Sequence, residues 1–195
     1  MRPWVGELTA ASQPPDGAVL LLIDLQRAID HPDWASRRNN PDAEANAACL
    51  LARWRERGWP LIHVRHDSLE PQSHYRPGQP GNLFKPQVAP LPGETVLPKQ
   101  TNSAFIGTDL EQRLRQAGQD ALVAAGVSTS NSVEATVRMA GNLGFRVWLA
   151  EDACFTFARA DWRGTPRSAD DVHAMSLANL DGEYCTVTTT AQLLD

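Results

Sequence analysis

Short apolar runs alternate with amphipathic segments along this chain. Ala18–Ile23 is an unbroken apolar run that ends abruptly at Asp24, a pattern typical of a parallel strand buried on both faces. Ala121–Val127 is a second such run, and Gly126 near its end permits a sharp exit. Four further strands are predicted from shorter or weaker runs: Trp59–Val64, Thr95–Lys99, Phe145–Ala150 and Tyr184–Thr188.

The segments between these runs carry helical periodicity and helix-start signals. Ser130 or Asn131 is the expected N-cap of a helix with Val133, Val137 and Ala140 on one apolar face. The other predicted helices are Pro41–Arg57 ended by Gly58, Thr108–Gln116 opened by a capping box from Thr108 to Glu111, Asp170–Leu180 with Ala174, Leu177 and Ala178 buried, and Thr190–Leu194. This alternation predicts one domain over residues 1–195, a three-layer α/β/α sandwich around a mostly parallel, Rossmann-like sheet.

Composition narrows the classes of function. A chain of 195 residues with 42% hydrophobic and 21% charged residues can bury one good core. The net charge of −5 offers no basic field for nucleic acid, and no apolar run is long enough to span a bilayer. Three widely spaced cysteines argue against a disulfide framework. The first ten residues lack the apolar core of a secretion signal, so we expect a cytoplasmic setting.

Three polar residues follow predicted strands or extended segments. Asp24 ends the first apolar run, Lys99 follows Pro98, and Ser132 lies in a turn of small hydroxyl residues that opens a helix. Taken alone, each has an ordinary structural explanation as a cap, a surface lysine or a packing serine. Because the carboxyl ends of parallel strands meet at one edge of a sheet, the three side chains are able to converge there.

Three motifs in the chain resemble the isochorismatase-like cysteine hydrolases, which include nicotinamidases, carbamoylsarcosine amidohydrolases and ureidoacrylate-type amidases. The motifs are LLIDLQ, LPKQTNSAFIGTDLE and AGVSTSNSVEATVRMAGNLGF, at residues 21–26, 97–111 and 125–145, and EDACFTF follows at 151–157. The resemblance implies a catalytic triad with Asp24 as general acid and base, Lys99 as the charge-stabilising group, and a nucleophile at position 132. It also implies a cis peptide bond between Val127 and Ser128, with the N–H groups of Ser128 and Ser132 forming an oxyanion hole.

The nucleophile position departs from the family pattern, because it holds Ser132 where the family has cysteine. A helix N-terminus and a neighbouring lysine can convert a thiol to thiolate, whereas a serine hydroxyl needs a general base during attack. Three interpretations follow. Ser132 is a replacement introduced to trap a bound substrate, a natural feature of a branch with weak or lost activity, or a natural residue of an enzyme that needs no nucleophile. The intact match at Asp24, Lys99 and the turn favours the first.

Three further residues are candidates for contact with substrate. Gln26 lies two positions after Asp24, His66 follows the second predicted strand, and Phe105 follows Lys99 in the same motif. Each also has an ordinary explanation as packing or a solvated side chain. The proline-rich segment 67–94 has no periodicity, which indicates a lid or binding loop that sets specificity.

We predict neither a metal nor a cofactor. His63 and His66 point to opposite faces of a strand, so they are poor co-ligands. The Asp-x-His pair of the zinc-binding nicotinamidases has one match here, Asp171 to His173, far along the chain from the family's position. Cys154 follows a strand but has no predicted base or helix start beside it, so we expect a buried structural thiol, as for Cys49 and Cys185.

The leading hypothesis is a metal-independent hydrolase of the C–N bond in a small amide, ureide or imide. One alternative is a vinyl-ether hydrolase in which Asp24 protonates the substrate and position 132 is passive. Another is a non-catalytic protein that binds a small molecule in the same pocket. A small-molecule substrate is the expected partner in each case, with neither nucleic acid nor membrane, and the resemblance implies a homodimer or homotetramer.

Overall fold

The computed structural model describes residues 13–195, so the first ten residues, on which the expected cytoplasmic setting depends, lie outside the described part. Six strands form one sheet in the order β3-β2-β1-β4-β5-β8, and every neighbouring pair is parallel. Their bounds are β1 Val19–Ile23, β2 Leu61–His66, β3 Thr95–Lys99, β4 Ala121–Val127, β5 Arg146–Phe155 and β8 Thr186–Thr188. The strand order reverses between β1 and β4, the position where ligands bind in open α/β sheets.

The helices cover both faces of the sheet. Their bounds are α1 Pro32–Ala35, α2 Ala43–Arg57, α3 Leu110–Gln116, α4 Glu134–Asn142, α5 Ala169–Ala178 and α6 Thr190–Leu194. Apolar residues of α3 and α4 join the core on one face, while those of α2 and α6 join the core on the other. The predicted three-layer α/β/α architecture is confirmed. A two-stranded antiparallel hairpin, β6 Arg159–Ala160 and β7 Pro166–Arg167, lies outside the main sheet.

Strand β1 shows that both faces of the sheet are apolar and buried. Val19, Leu21 and Ile23 enter one hydrophobic core, whereas Leu20 and Leu22 enter the other. Alternate side chains of a strand point to opposite faces, so a strand covered on both sides must be apolar throughout. All five of its residues are buried.

Two predicted helix starts are wrong. The helix that follows β4 begins with a π-helical turn, Thr129–Val133, whose N-cap is Ser128, and neither Ser130 nor Asn131 caps it. The N-cap of α3 is Asp109, without a side-chain hydrogen bond, so the capping box predicted from Thr108 is absent. At α3 the Thr108 hydroxyl accepts from the N–H of Leu110 at 3.3 Å, not from that of Glu111, so the bond is local but is not a capping box.

The predicted buried face of α5 is correct at one residue and wrong at two. Leu177 is half-buried and packs against the core, whereas Ala174 and Ala178 are exposed. His173 and Ser176 are buried instead. A capping box between Ser168 and Asp171 starts the helix. The buried side of α5 faces the π-helical turn, where His173 has a polar partner. Among residues 13–195 no helix is both long enough and apolar enough to cross a membrane.

Candidate active site

Asp24 directly follows β1 at the carboxyl edge of the sheet. Its backbone is in the left-handed region, with φ of 53°, and its N–H donates to the carbonyl of Val64 on β2 at 3.0 Å. The side chain is only 4% exposed. Oδ1 is buried and has no hydrogen-bond partner within residues 13–195.

Lys99, the last residue of β3, crosses the end of β2 to reach Asp24. Its Nζ donates to Asp24 Oδ2 at 2.6 Å, to the carbonyl of Thr101 at 3.0 Å and to Ser132 Oγ at 3.2 Å. These contacts occupy all three donors of an ammonium group. The lysine is 2% exposed, so its charge is compensated within the protein rather than by solvent.

The environment of Asp24 raises its pKa. Burial is the main cause, because it disfavours the charged carboxylate, and the positive charge and hydrogen bond of Lys99 oppose it. Burial also lowers the pKa of His66, with a further contribution from the Lys99 charge, so this imidazole is neutral at pH 7. The site therefore combines one carboxyl group with a raised pKa, one compensated lysine and one neutral imidazole.

Ser132 lies in the π-helical turn that connects β4 to α4. The peptide bond between Val127 and Ser128 is cis, at the position that the resemblance implies. The carbonyl of Ser128 accepts from the N–H groups of Asn131 and Val133 at 3.0 and 3.2 Å, which closes the turn around Ser132. Ser132 is 7% exposed and, together with Ser128, it lines the adjacent cavity.

Side chains from two other segments hold this turn in place. Thr129 Oγ1 lies 2.9 Å from Nδ1 of His173 on α5, and Nε2 of that histidine lies 3.5 Å from Glu151 Oε2. Ser130 Oγ lies 2.9 Å from Thr156 Oγ1, just beyond β5. The turn is therefore tied to its neighbours on both sides of Ser132.

A cavity of about 550 Å³ opens at the carboxyl ends of the strands, beside Asp24 and Ser132. Three aromatic rings form one wall: the ring of Trp34 lies 6.3 Å from that of Tyr75 and 6.2 Å from that of Phe157. His66 lies against Tyr75 at 5.5 Å. The remaining lining residues are Arg37, Asn102, Val127, Ser128, Ser130, Asn131, Thr156, Ala158, Arg159 and Ala160.

The structure brings five predicted site residues together at this cavity. Asp24, His66, Val127, Ser128 and Ser132 line it, and Lys99 lies directly behind them in contact with Asp24 and Ser132.

Gln26 and Phe105 were also predicted to contact substrate in the cavity, but neither residue lines it. Gln26 is completely buried, and its side-chain amide bonds the backbone of His66 and Asn82. Phe105 packs against the core, 5.7 Å from the ring of Phe145. Both side chains are engaged within the fold, so neither lines the cavity.

Several cavity residues have no clear signal in the sequence. Trp34 and Arg37 come from a polar segment after β1, and Phe157 and Arg159 follow β5. The segment 67–94, predicted to set specificity, contributes only Tyr75 to the lining. The Asn82 amide bonds Asp67 and Tyr75 within this segment and the carbonyl of His66 at the end of β2. A search for aromatic and cationic residues after each strand would have found part of this wall.

Cysteines and metal-ligating residues lie elsewhere. Burial raises the pKa of the Cys154 thiol strongly, and that of Cys185 to about 12, so both are inert structural thiols. Cys49, expected in the core, is exposed on α2. Within the described residues no group of three or more His, Cys, Asp or Glu side chains is arranged to hold a metal ion.

A family model described as the isochorismatase domain matches residues 18–192. The chain is 39% identical over 176 residues to the isochorismatase family protein YrdC of Bacillus subtilis, a match that covers 90% of this chain and 94% of YrdC. It is 33% identical over 177 residues to streptothricin hydrolase of Streptomyces noursei, covering 87% and 67% of the two chains. A shorter match, 36% over 112 residues, covers 57% of this chain and 47% of maleamate amidohydrolase of Pseudomonas putida.

A solved structure of an isochorismatase-family protein has the same fold as this chain. The isochorismatase-family protein of Chromobacterium violaceum superimposes with a TM-score of 0.88 and 66% sequence identity. The superposition covers 94% of this chain and 92% of that one.

Proposed function

The chain belongs to the isochorismatase family of hydrolases, and we propose that its cavity is an active site that hydrolyses the C–N bond of a small amide, ureide or imide. In this proposal Asp24 is the general acid and base, Ser132 is the nucleophile and Lys99 stabilises charge between them. The proposal needs neither metal nor cofactor. The names of two relatives, streptothricin hydrolase and maleamate amidohydrolase, are consistent with this class of reaction.

One observation carries the proposal. Lys99 Nζ lies 2.6 Å from Asp24 Oδ2 and 3.2 Å from Ser132 Oγ, with all three side chains nearly excluded from solvent. A carboxylate, an ammonium and a hydroxyl in mutual contact at the edge of a cavity form a proton-transfer unit beside a potential nucleophile. A purely structural ion pair would not need a hydroxyl that also lines the cavity.

The first half of the proposed reaction forms an acyl-enzyme. Ser132 Oγ attacks the substrate carbonyl carbon while Asp24 accepts the hydroxyl proton, and the carbonyl oxygen becomes an oxyanion. The N–H groups of Ser128 and Ser132 are the proposed donors to that oxyanion. Asp24, now protonated, delivers its proton to the leaving nitrogen, the C–N bond breaks, and an amine or ammonia departs.

The second half of the reaction releases the acid. Asp24 removes a proton from a water molecule that attacks the ester carbonyl, and then returns that proton to Ser132 Oγ as the ester bond breaks. The net change adds one water across the C–N bond and restores the site. Lys99 stabilises the carboxylate of Asp24 whenever that group is ionised.

An oxygen nucleophile makes this reaction difficult. A thiol at a helix start beside a lysine is partly ionised before attack, whereas a serine hydroxyl must lose its proton during attack. Asp24 has a raised pKa, which improves it as a base, but Lys99 offsets part of that effect. We therefore expect slow turnover in the chain as it stands.

Replacement of Ser132 by cysteine tests the proposal. Ser132→Cys should increase kcat/KM by at least about tenfold on an amide or ureide substrate, and acyl-enzyme should accumulate by mass spectrometry. Ser130→Cys is the matched control, since Ser130 lies in the same turn and lines the same cavity but does not contact Lys99. No gain on a broad amide and ureide panel would reject acyl transfer at position 132.

A second function is favoured by one specific feature of Asp24. Burial raises the pKa of this carboxyl and leaves Oδ1 without a partner among the described residues, which suits a group that donates a proton to substrate. A vinyl-ether hydrolase would need that proton and no nucleophile. In that case Asp24→Asn abolishes activity on a vinyl ether while Ser132→Ala leaves it nearly unchanged, whereas acyl transfer requires both side chains.

Ligand binding without turnover, both in the parent chain and in the Ser132→Cys variant, would indicate a non-catalytic protein.

A further inference from the structure

We propose that His173, on α5, is a positioning residue for Ser132 and that it acts through the hydroxyl of Thr129. This inference rests on the proposed function and adds to it a residue that does not touch the substrate. The evidence is the hydrogen bonding of the π-helical turn, the burial of the two side chains and their place outside the cavity lining.

Thr129 connects α5 to the segment that carries Ser132. Its side chain is completely buried, and its hydroxyl lies 2.9 Å from Nδ1 of His173. Its carbonyl accepts from the N–H of Glu134, the first residue of α4. Ser132 lies between Thr129 and Glu134 in the chain, so the anchor at Thr129 helps to fix the position of the proposed nucleophile.

Neither Thr129 nor His173 lines the cavity. Both side chains are buried, and they meet behind the turn rather than on its open side. A residue in such a place influences the reaction either through the position of other groups or through the stability of the fold. The experiments below separate these two effects.

The bond between His173 and Thr129 has a defined direction. Burial lowers the pKa of His173 more than the nearby carboxylates of Glu151 and Asp170 raise it, so the imidazole is neutral at pH 7. Nε2 has no hydrogen-bond partner among residues 13–195, but it lies 3.5 Å from Oε2 of Glu151. A carboxylate oxygen favours the proton on the nitrogen that faces it, so Nδ1 accepts from the Thr129 hydroxyl.

The contact between Lys99 and Ser132 is sensitive to the position of the turn. Lys99 Nζ donates to Ser132 Oγ at 3.2 Å, the long end of the range for such a bond. The other donors of Nζ are engaged by Asp24 and Thr101, so the ammonium is not free to follow a displaced serine. A displacement of about 1 Å would break this contact, and misplacement of that size can lower the rate about a hundredfold.

Substitutions of His173 in the Ser132→Cys chain test the proposal by kinetics. His173→Leu should lower kcat at least about tenfold and change KM less than about twofold, because the lost bond positions the nucleophile and touches no substrate. His173→Asn should retain most of kcat, since its amide oxygen takes the place of Nδ1 and accepts from Thr129. His173→Gln places its amide near the position of Nε2 instead, so it should resemble His173→Leu.

Thr129→Val removes the other partner of the bond and should lower kcat by a similar factor. The double variant with His173→Leu should be no slower than either single variant, because both side chains act through one bond. Thr188→Val is the matched control. Thr188 is also a buried threonine, and its hydroxyl donates to Gln192 at 3.0 Å, away from the turn. This control should lower stability without lowering kcat.

Alkylation by iodoacetamide tests the position of residue 132 without any substrate. The starting chain carries Ser132→Cys together with Cys49→Ser, because Cys49 is exposed whereas Cys154 and Cys185 are buried. The thiolate is the reactive form, and the ammonium of Lys99 stabilises it. The midpoint of the alkylation rate against pH therefore reports the proximity of the introduced thiol to Lys99.

The variants His173→Leu and Thr129→Val should move this midpoint upward by about 1 pH unit, because the thiol moves away from the ammonium. The variants His173→Asn and Thr188→Val should leave it unchanged. Circular dichroism and thermal unfolding identify the variants that are folded, and all rates are measured well below their melting temperatures. If His173→Leu does not fold, the comparison of His173→Asn with His173→Gln and the Thr129→Val variant carry the test.

Two results would overturn the positioning role. One is an unchanged kcat and an unchanged alkylation midpoint in folded His173→Leu, His173→Gln and Thr129→Val. The other is an equal loss in His173→Asn and His173→Gln, because the position of the acceptor would then not matter.

This inference and the proposed function fail in different ways. If the Ser132→Cys chain cleaves no C–N bond but its alkylation midpoint depends on Thr129 and His173, the positioning role stands and the proposed reaction is wrong. If the chain cleaves amides or ureides and the variants change neither kcat nor the midpoint, the reaction stands and the positioning role is wrong.

Discussion

Asp24 and Lys99 depend on each other for burial. A carboxylate or an ammonium alone at this depth would lose its hydration without compensation, and removal of one partner of such a pair typically costs about 3–5 kcal/mol. Together they form a contact of 2.6 Å, and the lysine uses its remaining donors on Thr101 and Ser132. Removal of either partner alone should therefore destabilise the fold, and Lys99 also influences the protonation state of the proposed base.

Lys99→Met should separate these two roles. Without the ammonium, burial of Asp24 is no longer opposed, and the pKa of this carboxyl rises further above its ordinary value. Asp24 then remains protonated to a higher pH. Activity that needs the carboxylate should appear only at higher pH, so the acid limb of the kcat/KM profile moves upward, and kcat falls.

Lys85→Met is the control for this prediction. Lys85 is also largely buried and pairs with Asp30 at 2.6 Å and Glu44 at 3.3 Å, away from the cavity lining. Both variants should lower the melting temperature, but only Lys99→Met should move the acid limb. An unmoved profile in Lys99→Met would show that Lys99 does not influence the proposed base.

The end of strand β4 determines where the π-helical turn that carries Ser132 begins. Gly126 has φ of 141°, and a Cβ atom there would lie 2.1 Å from the carbonyl oxygen of Ile23 on β1. Strands β1 and β4 approach closely at this point because glycine has no side chain. Asp24 follows Ile23 directly. This close approach therefore sets the separation between Asp24 and the π-helical turn that carries Ser132.

Gly126→Ala should therefore prevent normal folding or lower stability by more than about 4 kcal/mol, since backbone atoms on both strands must move. Gly118→Ala is the matched control. Gly118 also has a positive φ, 66°, but a Cβ atom there would have no neighbour within 4 Å, so this change should cost about 1–2 kcal/mol. Thermal unfolding measures the stability of both variants. Similar melting temperatures for the two variants would contradict the close-contact explanation.

A partly buried polar cluster outside the cavity lining connects three parts of the molecule. Glu94, just before β3, accepts from Arg55 of α2 at 2.7 and 2.8 Å. Glu94 Oε2 also lies 2.9 Å from Nε2 of His63 on β2. The cluster ties a helix layer to the β2–β3 edge of the sheet, which carries Lys99 to the site.

Glu94 should make stability depend on pH. The hydrogen bond from Arg55 is the main reason that its pKa falls to about 2. A carboxyl with a depressed folded-state pKa stabilises fully above its unfolded value, near 4.5, and that stability is lost as pH falls towards 2. Glu94→Gln should therefore lose about 1–3 kcal/mol at pH 7, allowing for solvent screening, and the difference from the parent should shrink below pH 4.5.

Urea unfolding at a series of pH values measures this difference. Asp109→Asn is the control, because Asp109 pairs with Arg113 on the surface of α3, where both side chains are about half exposed. This control should change stability little at any pH. A constant difference between parent and Glu94→Gln from pH 7 to pH 3 would show that Glu94 does not titrate as described.

Much of the fold follows from local patterns in the sequence. The apolar runs at β1 and β4 predict buried parallel strands because such strands must be apolar on both faces. The end of α2 is predicted by Gly58, which adopts the left-handed conformation with φ of 63°. Placement of polar residues after strands also predicts that Asp24 and Ser132 approach each other, because parallel strands share one carboxyl edge. The homodimer or homotetramer stays a prediction.

The remaining features depend on contacts between residues far apart in the chain. Gln26 and Phe105 are polar and aromatic residues beside predicted site residues, yet one bonds backbone 40 and 56 positions away and the other packs in the core. Likewise His173 turns inward because Thr129, 44 positions away, offers it a partner. Local sequence contains no information about such partners, which is why the roles of these three residues could not be predicted from it.

The amino-acid sequence alone thus specified the layers, the parallel sheet, and the family pattern around Asp24, Lys99 and Ser132. The tertiary structure alone decided which charges remain unpaired at the cavity. Arg37 and Arg38 are adjacent and identical in type, but one is engaged by Glu44 and the other faces the cavity. The physical reason is that charge compensation depends on distances of a few ångströms between segments that meet only in the folded chain.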